Sequence, residues 1–333
     1  MERYCSFQRR LRSVSGYHAS GAGASGRAFT RSSPDAPGAG VVRGQSPFRR
    51  LGGIRSGCRP WVQGYGVSGN VDGDGNAAGC DYDIAGTTVG VDRRLDANTV
   101  FGLAGAYSHD WVGLGEPDQQ ASVDSGRVAL YAHRTTRRNY ATGLFAFAHD
   151  GYETTRRSDF GELARTALAD YDGREFALRF EIGRFLARGG AQLQPYAALQ
   201  YVHLRQDGFT ETGAGSINLS VDGMTTDSLR SFLGSRVVWY RRFGGNRSVA
   251  PELHALWRHE FLDDARLVNA DFLGAPGNSF VVAGADLGRD AASLGGACTF
   301  YLAERLSLFA DYDLLLSDAQ VTHAATGGAQ LLW

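Results

Sequence analysis

Hydrophobic and polar residues alternate one by one over long stretches of the chain, from Trp61 onward. In one stretch every odd position from Val249 to Trp257 is apolar, while the even positions include glutamate, histidine and arginine. Successive side chains of a β-strand point to opposite faces, so this pattern predicts strands with one apolar and one polar face. Twelve such segments follow one another, at about residues 61–69, 82–93, 99–109, 121–134, 138–150, 171–187, 191–205, 227–242, 247–262, 289–302, 305–316 and 321–333.

The length and polarity of these segments indicate a membrane barrel. Strands of globular proteins have about five or six residues, whereas membrane-spanning strands need about nine to eleven. Charges also stand at strand centres: Glu175, Arg179 and Glu181 alternate with apolar residues from Phe176 to Ile182. A packed core would make such charges costly, but the interior of a membrane barrel is polar. We therefore predict an all-β fold, a twelve-stranded antiparallel transmembrane β-barrel spanning residues 61–333.

The predicted connections alternate in length, which supports the barrel. Short connections lie near residues 93–98, 135–137, 188–190, 243–246 and 303–304. Long ones lie at 70–81, 110–120, 151–170, 206–226 and 263–288, and only the short link at 317–320 breaks the pattern. Outer-membrane barrels have short periplasmic turns and longer extracellular loops. An even strand count then places both ends of the barrel on the periplasmic side.

Residues 1–60 differ in composition from the rest of the 333-residue chain. They hold 11 arginines against Glu2 and Asp35, whereas residues 61–333 have a net charge of −10. The segment is rich in glycine and serine and shows no sustained period, so we predict that it is disordered. A basic nucleic-acid-binding arm is the weaker alternative, because aromatic residues hardly interleave with the arginines.

Targeting signals and cysteines leave some questions open. Residues 7–14 contain arginines where a signal peptide would be apolar, so the chain is soluble, the end of a longer product, or misassigned at its start. No window approaches the roughly 18 apolar residues of a membrane helix. The cysteines show no metal-binding spacing; Cys58 and Cys80 could pair in an oxidising compartment, but isolated thiols are favoured.

No motif predicts a catalytic, cofactor-binding or metal-binding site, and we expect a protein that is not an enzyme. The loop from Asp72 to Asn76 resembles the start of a calcium loop, but Ala77 and Asp83 replace the glycine and glutamate that such a loop needs. Seven of the eight histidines are spread over six of the predicted segments, with no arrangement that indicates a catalytic triad. The charged residues of the polar faces predict the lining of the pore. They are Arg127, Arg179, Glu181, Arg236, Glu252, Arg258 and Glu260.

Several stretches of the sequence resemble the autotransporter β-domain of type V secretion. They are WVQGYG at 61–66, YDIAGTTVGVD at 82–92, FGLAGAYS at 101–108, LQPYAALQY at 193–201, LGRD at 287–290 and the terminal Trp333. The resemblance implies a barrel in the bacterial outer membrane that assists export of an N-terminal passenger to the cell surface. It also implies assembly by the outer-membrane insertion machinery, which reads a terminal strand ending in an aromatic residue. The matching positions here are Ala329, Leu331 and Trp333.

Two other classes of protein stay open at the level of sequence. A stand-alone outer-membrane porin or barrel enzyme would share the strand pattern. A soluble all-β binding domain would share the alternation but not the partition into lipid. The expected partners of the autotransporter reading are outer-membrane lipid, the insertion machinery and a passenger polypeptide, which is not recognisable in this chain; no nucleic acid and no cofactor are expected.

Overall fold

The structure is a computed structural model that describes residues 58–73, 79–113, 119–160, 163–188, 190–244, 247–262, 267–283, 288–303 and 306–331. Residues 1–57, which make up nearly all of the segment 1–60 that we predict to be disordered, lie outside the described residues. Among the described residues, no helix combines the length and the apolar composition needed to cross a membrane.

The described residues form strands almost throughout. In chain order these are β1 (Cys58–Val71), β2 (Cys80–Arg94), β3 (Thr99–Gly113), β4 (Gln120–Thr135), β5 (Asn139–Phe160), β6 (Leu163–Arg184), β7 (Leu186–Arg188), β8 (Ala191–Gln206), β9 (Phe209–Thr210), β10 (Leu219–Val221), β11 (Met224–Trp239), β12 (Arg241–Arg242), β13 (Ser248–Glu260), β14 (Leu267–Phe272), β15 (Phe280–Ala283), β16 (Asp290–Ala303), β17 (Leu306–Ser317) and β18 (Gln320–Leu331). One turn of 3-10 helix covers Gly215–Ile217.

Twelve of these strands close into an antiparallel barrel, as the alternation predicts. Each long strand pairs with the next one along the chain, and β8 pairs with both β6 and β11. The barrel closes where β1 pairs with β18, with Trp61 opposite Gln330. Closure pairs the edge strands, so neither presents unpaired backbone groups along the seam. The beginning of β1 and the end of β18 lie together, at the end of the barrel that carries the short turns.

The outer face carries a band of apolar side chains. On β4 the outward positions run from Asp124 through glycine, valine, leucine and alanine to Arg134. The ten residue steps between these two charges span about 25 Å along the axis of a tilted strand, the height of the apolar band of an outer-membrane barrel. Leu130 and Val128 of this band are exposed, as are Phe101, Leu103, Phe180 and Ile182 on other strands. A soluble all-β domain would not expose such a surface.

Glycines on the inner face make room for large aromatic side chains of the neighbouring strand. A Cβ at Gly183 would collide with the ring of Tyr140, and one at Gly234 would collide with the ring of Tyr196. The two tyrosines are buried inside the barrel near the short turns. Part of the high glycine content therefore serves close packing against rings.

The long connections contain more structure than the sequence pattern indicated. The stretch 151–170, predicted as a loop, extends β5 and β6 into a hairpin of 22 residues on each side. The loops at 206–226 and 263–288 contribute β9, β10, β14 and β15, which form a second, four-stranded sheet. Three of the four strands in this sheet, β9, β10 and β15, have four residues or fewer, which is too short for a period of two to be visible in the sequence.

Cys58 and Cys80 are both free thiols. Cys58 begins β1 at the short-turn end, whereas Cys80 begins β2 at the other end, opposite Val71. The two are separated by the length of a membrane-spanning hairpin, far beyond the roughly 7 Å between Cα atoms that a disulfide allows. The favoured prediction of isolated cysteines agrees with this geometry.

Candidate functional site

The interior near the short turns is organised around the carboxylate of Glu181. The guanidinium of Arg236 lies 2.8 Å from it and that of Arg179 lies 3.1 Å away. The hydroxyl of Tyr140 donates to the same carboxylate at 2.9 Å and accepts from Arg236 at 3.0 Å. Glu181 on β6 and Arg236 on β11 are 55 positions apart, and β8 separates their strands. The ion pair therefore crosses the inner surface of the wall above a third strand.

Aromatic rings complete the surroundings of both arginines. The guanidinium of Arg236 lies 4.2 Å from the ring centroid of Tyr196, and that of Arg179 lies 4.5 Å from the centroid of Phe232. Arg179 also donates to the side chain of Gln200 at 3.1 Å. Arginine suits this site because its planar guanidinium can stack on a ring and still donate several hydrogen bonds. The result is a rigid polar cluster, which we call the turn-end cluster (Tyr140, Arg179, Glu181, Tyr196, Phe232, Arg236).

Further charges line the middle of the barrel. Arg127 on β4 lies 3.5 Å from Glu175 on β6, and both side chains are buried. The hydroxyl of Ser125 donates to Asp150 at 2.5 Å one strand away. Because opposite charges alternate around the wall, the interior offers a polar surface rather than a dry core.

One group of side chains in the wall has a donor set that could hold a metal ion. A nitrogen and two carboxylate oxygens of His254, Asp311 and Asp313 lie within 4.8 Å of one another. The Nε2 atom of His254 is 2.7 Å from Asp313, and its Nδ1 atom is 3.4 Å from Glu252. Gly295 on the strand between them leaves the space in which His254 and Asp313 meet. The same contacts also describe an imidazole that is simply held by its carboxylate neighbours.

The interior at the long-loop end contains a large apolar cluster. Inward-facing Val67, Tyr82, Ile84, Val112 and Val123 form one buried cluster together with side chains of the second sheet. Phe209, Leu219, Val221, Val268 and Ala270 are the contributions of that sheet. We call this the loop-end cluster. Since its wall residues come from β1 to β6, β8 and β18, the second sheet packs against the inner face of these strands.

A buried ion pair joins the second sheet to the extended hairpin. Arg156 on β5 binds Glu211 through two nitrogens, at 2.9 and 2.5 Å, and also donates to the backbone carbonyl of Ile217 at 2.9 Å. Glu211 accepts in addition from the backbone N–H of Leu219 at 2.8 Å. Rings of Tyr152, Tyr171 and Phe209 stack beside this pair, with centroids 4.8 and 4.3 Å apart. The hairpin and the second sheet are thus one packed unit.

The structure places all seven residues of the predicted lining on the inner face. Four take part in the ion pairs described above, and Glu260 pairs with Arg230 at 2.9 Å near the long loops. Arg258 is buried in the wall, and Glu252 lies beside His254. Arg230 and Glu175 complete these pairs although they are not among the seven predicted residues; both have the inward parity of Arg236 and Glu181, so the alternation could have found them. Glu211, by contrast, lies in no alternating stretch of the sequence, so the same pattern could not have identified it.

The terminal residues and the calcium-like loop are described only in part. Ala329 and Leu331 lie on β18, opposite Val62 and Leu306 on the neighbouring strands. The side chain of Leu331 is exposed on the outer face, and Trp333 lies outside the described residues. Of the calcium-like stretch 72–76, positions 74–76 lie outside them as well.

A family model for the autotransporter beta-domain matches residues 60–313, most of the barrel just described. The chain belongs to the autotransporter β-domain family. Autotransporter β-domains are outer-membrane translocator barrels, which places this chain in the bacterial outer membrane.

Solved autotransporter barrels share the fold. The translocator domain of the autotransporter NalP from Neisseria meningitidis superposes with a TM-score of 0.70 at 16% identity, over 96% of this chain and 97% of that one. The β-domain of the Bordetella autotransporter BrkA superposes with a TM-score of 0.62 at 17% identity, over 83% of this chain and 100% of that one.

Curated relatives are considerably longer than the part they share with this autotransporter barrel. An uncharacterized Pseudomonas putida protein from the trpE-trpG intergenic region is 25% identical over 72% of this chain and 40% of its own length. The esterase EstA of Pseudomonas aeruginosa is 24% identical over 68% of this chain and 35% of its own length. The chain thus spans about two fifths or less of these relatives.

Proposed function

We propose that this autotransporter barrel exports a passenger polypeptide through its interior and then anchors it at the cell surface. The family match over residues 60–313 carries the proposal. The polar inner wall supports it, because a partly unfolded chain in transit needs hydrogen-bonding partners and water around it. The alternative of a stand-alone porin or barrel enzyme is not favoured by the family and structure matches.

The passenger's path would follow the seven inward-facing charged residues predicted from sequence. Arg179, Glu181 and Arg236 make the most organised part of this lining. Paired charges give such a wall both signs within a short distance, so it suits a passing chain of any sequence better than an acidic or basic ring would.

The passenger itself would belong to the additional length that the curated relatives have. Those relatives include proteins named as an esterase and as an extracellular serine protease of Serratia marcescens, which match this chain over 35% and 17% of their lengths. We infer that such activities reside outside the shared barrel, and that the barrel is not itself an enzyme.

Orientation and assembly are part of the same proposal. The short turns and both barrel ends would face the periplasm, and the long loops the exterior. The outer-membrane insertion machinery would read Ala329, Leu331 and Trp333 on the closing strand. Deletion of Trp333 is then expected to reduce the folded barrel in outer-membrane fractions strongly, as measured by heat-modifiable gel mobility. The matched change Gln330→Ala, on the inward face, should be much milder; equal insertion of both variants would remove the assembly role.

A surface-display assay tests the export function. A secreted reporter domain is fused ahead of residue 58, and intact cells are treated with an added protease. Export predicts that the reporter is cleaved while the cells stay intact and the barrel keeps its heat-modifiable mobility. A folded barrel whose reporter stays protected, in cells where a known translocator displays the same reporter, would contradict the proposal.

A further inference from the structure

The outer face of the barrel carries a row of basic side chains just above the apolar band. His149 on β5 is the register partner of Arg174 on β6, and Arg174 is the partner of Arg205 on β8. All three side chains are exposed on the outward face. Neighbouring strands in a sheet are about 4.8 Å apart, so the three groups stand side by side around the barrel.

The rows beneath place this triad at the edge of the hydrocarbon. Directly below it, Phe147, Phe176 and His203 are register partners on the same three strands. The rings of Phe176 and His203 stack at 4.8 Å, and below them follow Phe145, Leu178 and Tyr201. Aromatic residues mark the membrane–water interface of barrels, so the guanidinium groups lie at the depth of the lipid headgroups.

Arg174 and Arg205 face each other on paired strands, and an anion between them would stabilise this arrangement. Like charges directly opposite each other on paired strands destabilise a sheet. Within the described residues, neither Arg174 nor Arg205 takes part in an ion pair. His149 lies 3.6 Å from Asp172, but both of these side chains are more than half exposed, so this pair is weak. The two arginines therefore keep their charge and their hydrogen-bond donors available on the outer face.

We propose that Arg174, Arg205 and His149 form a binding site for a phosphate-bearing lipid headgroup in the leaflet that faces the long loops. A phosphate between the two guanidinium groups would relieve their repulsion and accept paired hydrogen bonds from each. The acyl chains would lie on the apolar ladder below, which includes Leu178 and Phe176. A free phosphate ion would gain only the first of these interactions, so the site selects a lipid.

Lipid binding by the purified full chain tests this site. The barrel in dodecyl maltoside micelles is titrated with phosphatidylglycerol, and bound lipid is counted by native mass spectrometry. Because a hydrogen bond to a charged group contributes enough free energy for about a tenfold change in affinity, R174Q/R205Q should bind at least about tenfold more weakly. R174K/R205K keeps the positive charges but not the paired donors, so its affinity should lie between those of wild type and R174Q/R205Q.

Matched controls distinguish binding at this site from nonspecific attraction to positive charge and from binding through the acyl chains alone. R137Q/R138Q removes two exposed arginines from a short turn at the opposite end and should leave binding unchanged. A neutral galactolipid with the same acyl chains should bind far more weakly, and millimolar inorganic phosphate alone should not bind. The proposal would be overturned if wild type and R174Q/R205Q bound phosphatidylglycerol equally, or if the turn control lost as much binding as R174Q/R205Q. It would also be overturned if the galactolipid or inorganic phosphate bound as tightly as phosphatidylglycerol.

The lipid-binding result can be distinguished from misfolding of the variants and from failure of the proposed export function. Heat-modifiable mobility first shows that each variant is folded, and R174Q or R205Q alone replaces the double variant should that one not fold. The residues lie on the outer face, away from the lining, so the display assay and the lipid assay can succeed or fail independently.

Discussion

The two ends of the barrel interior are stabilised by different kinds of interaction. Near the short turns, the turn-end cluster holds the wall through ion pairs, hydrogen bonds and stacked rings centred on Glu181. Near the long loops, the loop-end cluster is apolar and depends on side chains supplied by the second sheet. The first belongs to the wall itself, whereas the second is contributed by loops. The proposed passage of a passenger along the interior would therefore require the loop-end cluster to move, whereas the turn-end cluster could stay in place.

The largest effect is expected from Arg236→Ala in the turn-end cluster. It leaves the buried carboxylate of Glu181 with Arg179 as its remaining ion-pair partner, and breaking a buried ion pair costs about 3–5 kcal/mol. The temperature at which the folded gel band converts to the unfolded one should fall markedly. Arg184→Ala removes an exposed arginine from the same end of β6 and serves as the control. Equal conversion temperatures for the two variants would show that the turn-end cluster does not hold the wall.

The second prediction concerns the loop-end cluster. Leu219→Ala truncates a fully buried side chain of β10, and such truncations cost about 2–5 kcal/mol. Because the second sheet comes from loops, the expected result is faster protease cleavage within 207–223 with an unchanged conversion temperature of the barrel. Ser220→Ala is the neighbouring control. A barrel that loses its heat-modifiable mobility in Leu219→Ala would mean that the two ends are not separable.

Charge neutralisation along the wall gives an intermediate effect. The combination R179Q/R236Q/R258Q removes three positive charges from the interior, so ion selectivity should shift toward cations in planar-bilayer recordings. Conductance should change in the same preparation, once folding of the variant is shown on gels. Unchanged conductance and selectivity would remove these residues from the pore lining.

The smallest effect is local to a short turn outside the membrane-spanning strands. The backbone N–H of Asn98 donates to Asp96 at 2.7 Å and lowers the pKa of that carboxyl, with a further contribution from the side chain of Thr99. A lowered folded-state pKa stabilises the fold above the unfolded pKa, and this contribution is lost as the pH falls through the folded pKa. Asp96→Asn should therefore make stability slightly less dependent on pH in the acid range; the full wild-type dependence in the variant would contradict this.

The long strands could be predicted from sequence because the alternation of apolar and polar residues within each strand shows which side chains face outward and which face inward. The parity that puts Glu181 and Arg236 inside is visible in the alternation of β6 and β11. Their partnership is not, since it depends on β8 lying between them in the closed sheet. The second sheet was missed for a related reason. Strands such as Phe209–Thr210 and Leu219–Val221 are too short to show a period, and Glu211 meets Arg156 only after loops distant in sequence have packed together.

Cross-linking of a stalled passenger to the wall tests the central claim most directly. A photo-reactive residue replaces Phe232, which is buried on the inner face within the turn-end cluster, or its neighbour Leu233, which is 52% exposed on the outer face. With a reporter passenger held in transit by a folded domain, the account predicts a passenger adduct from position 232 and none from position 233. No adduct at 232, or equal adducts at both positions, would contradict passage through the interior.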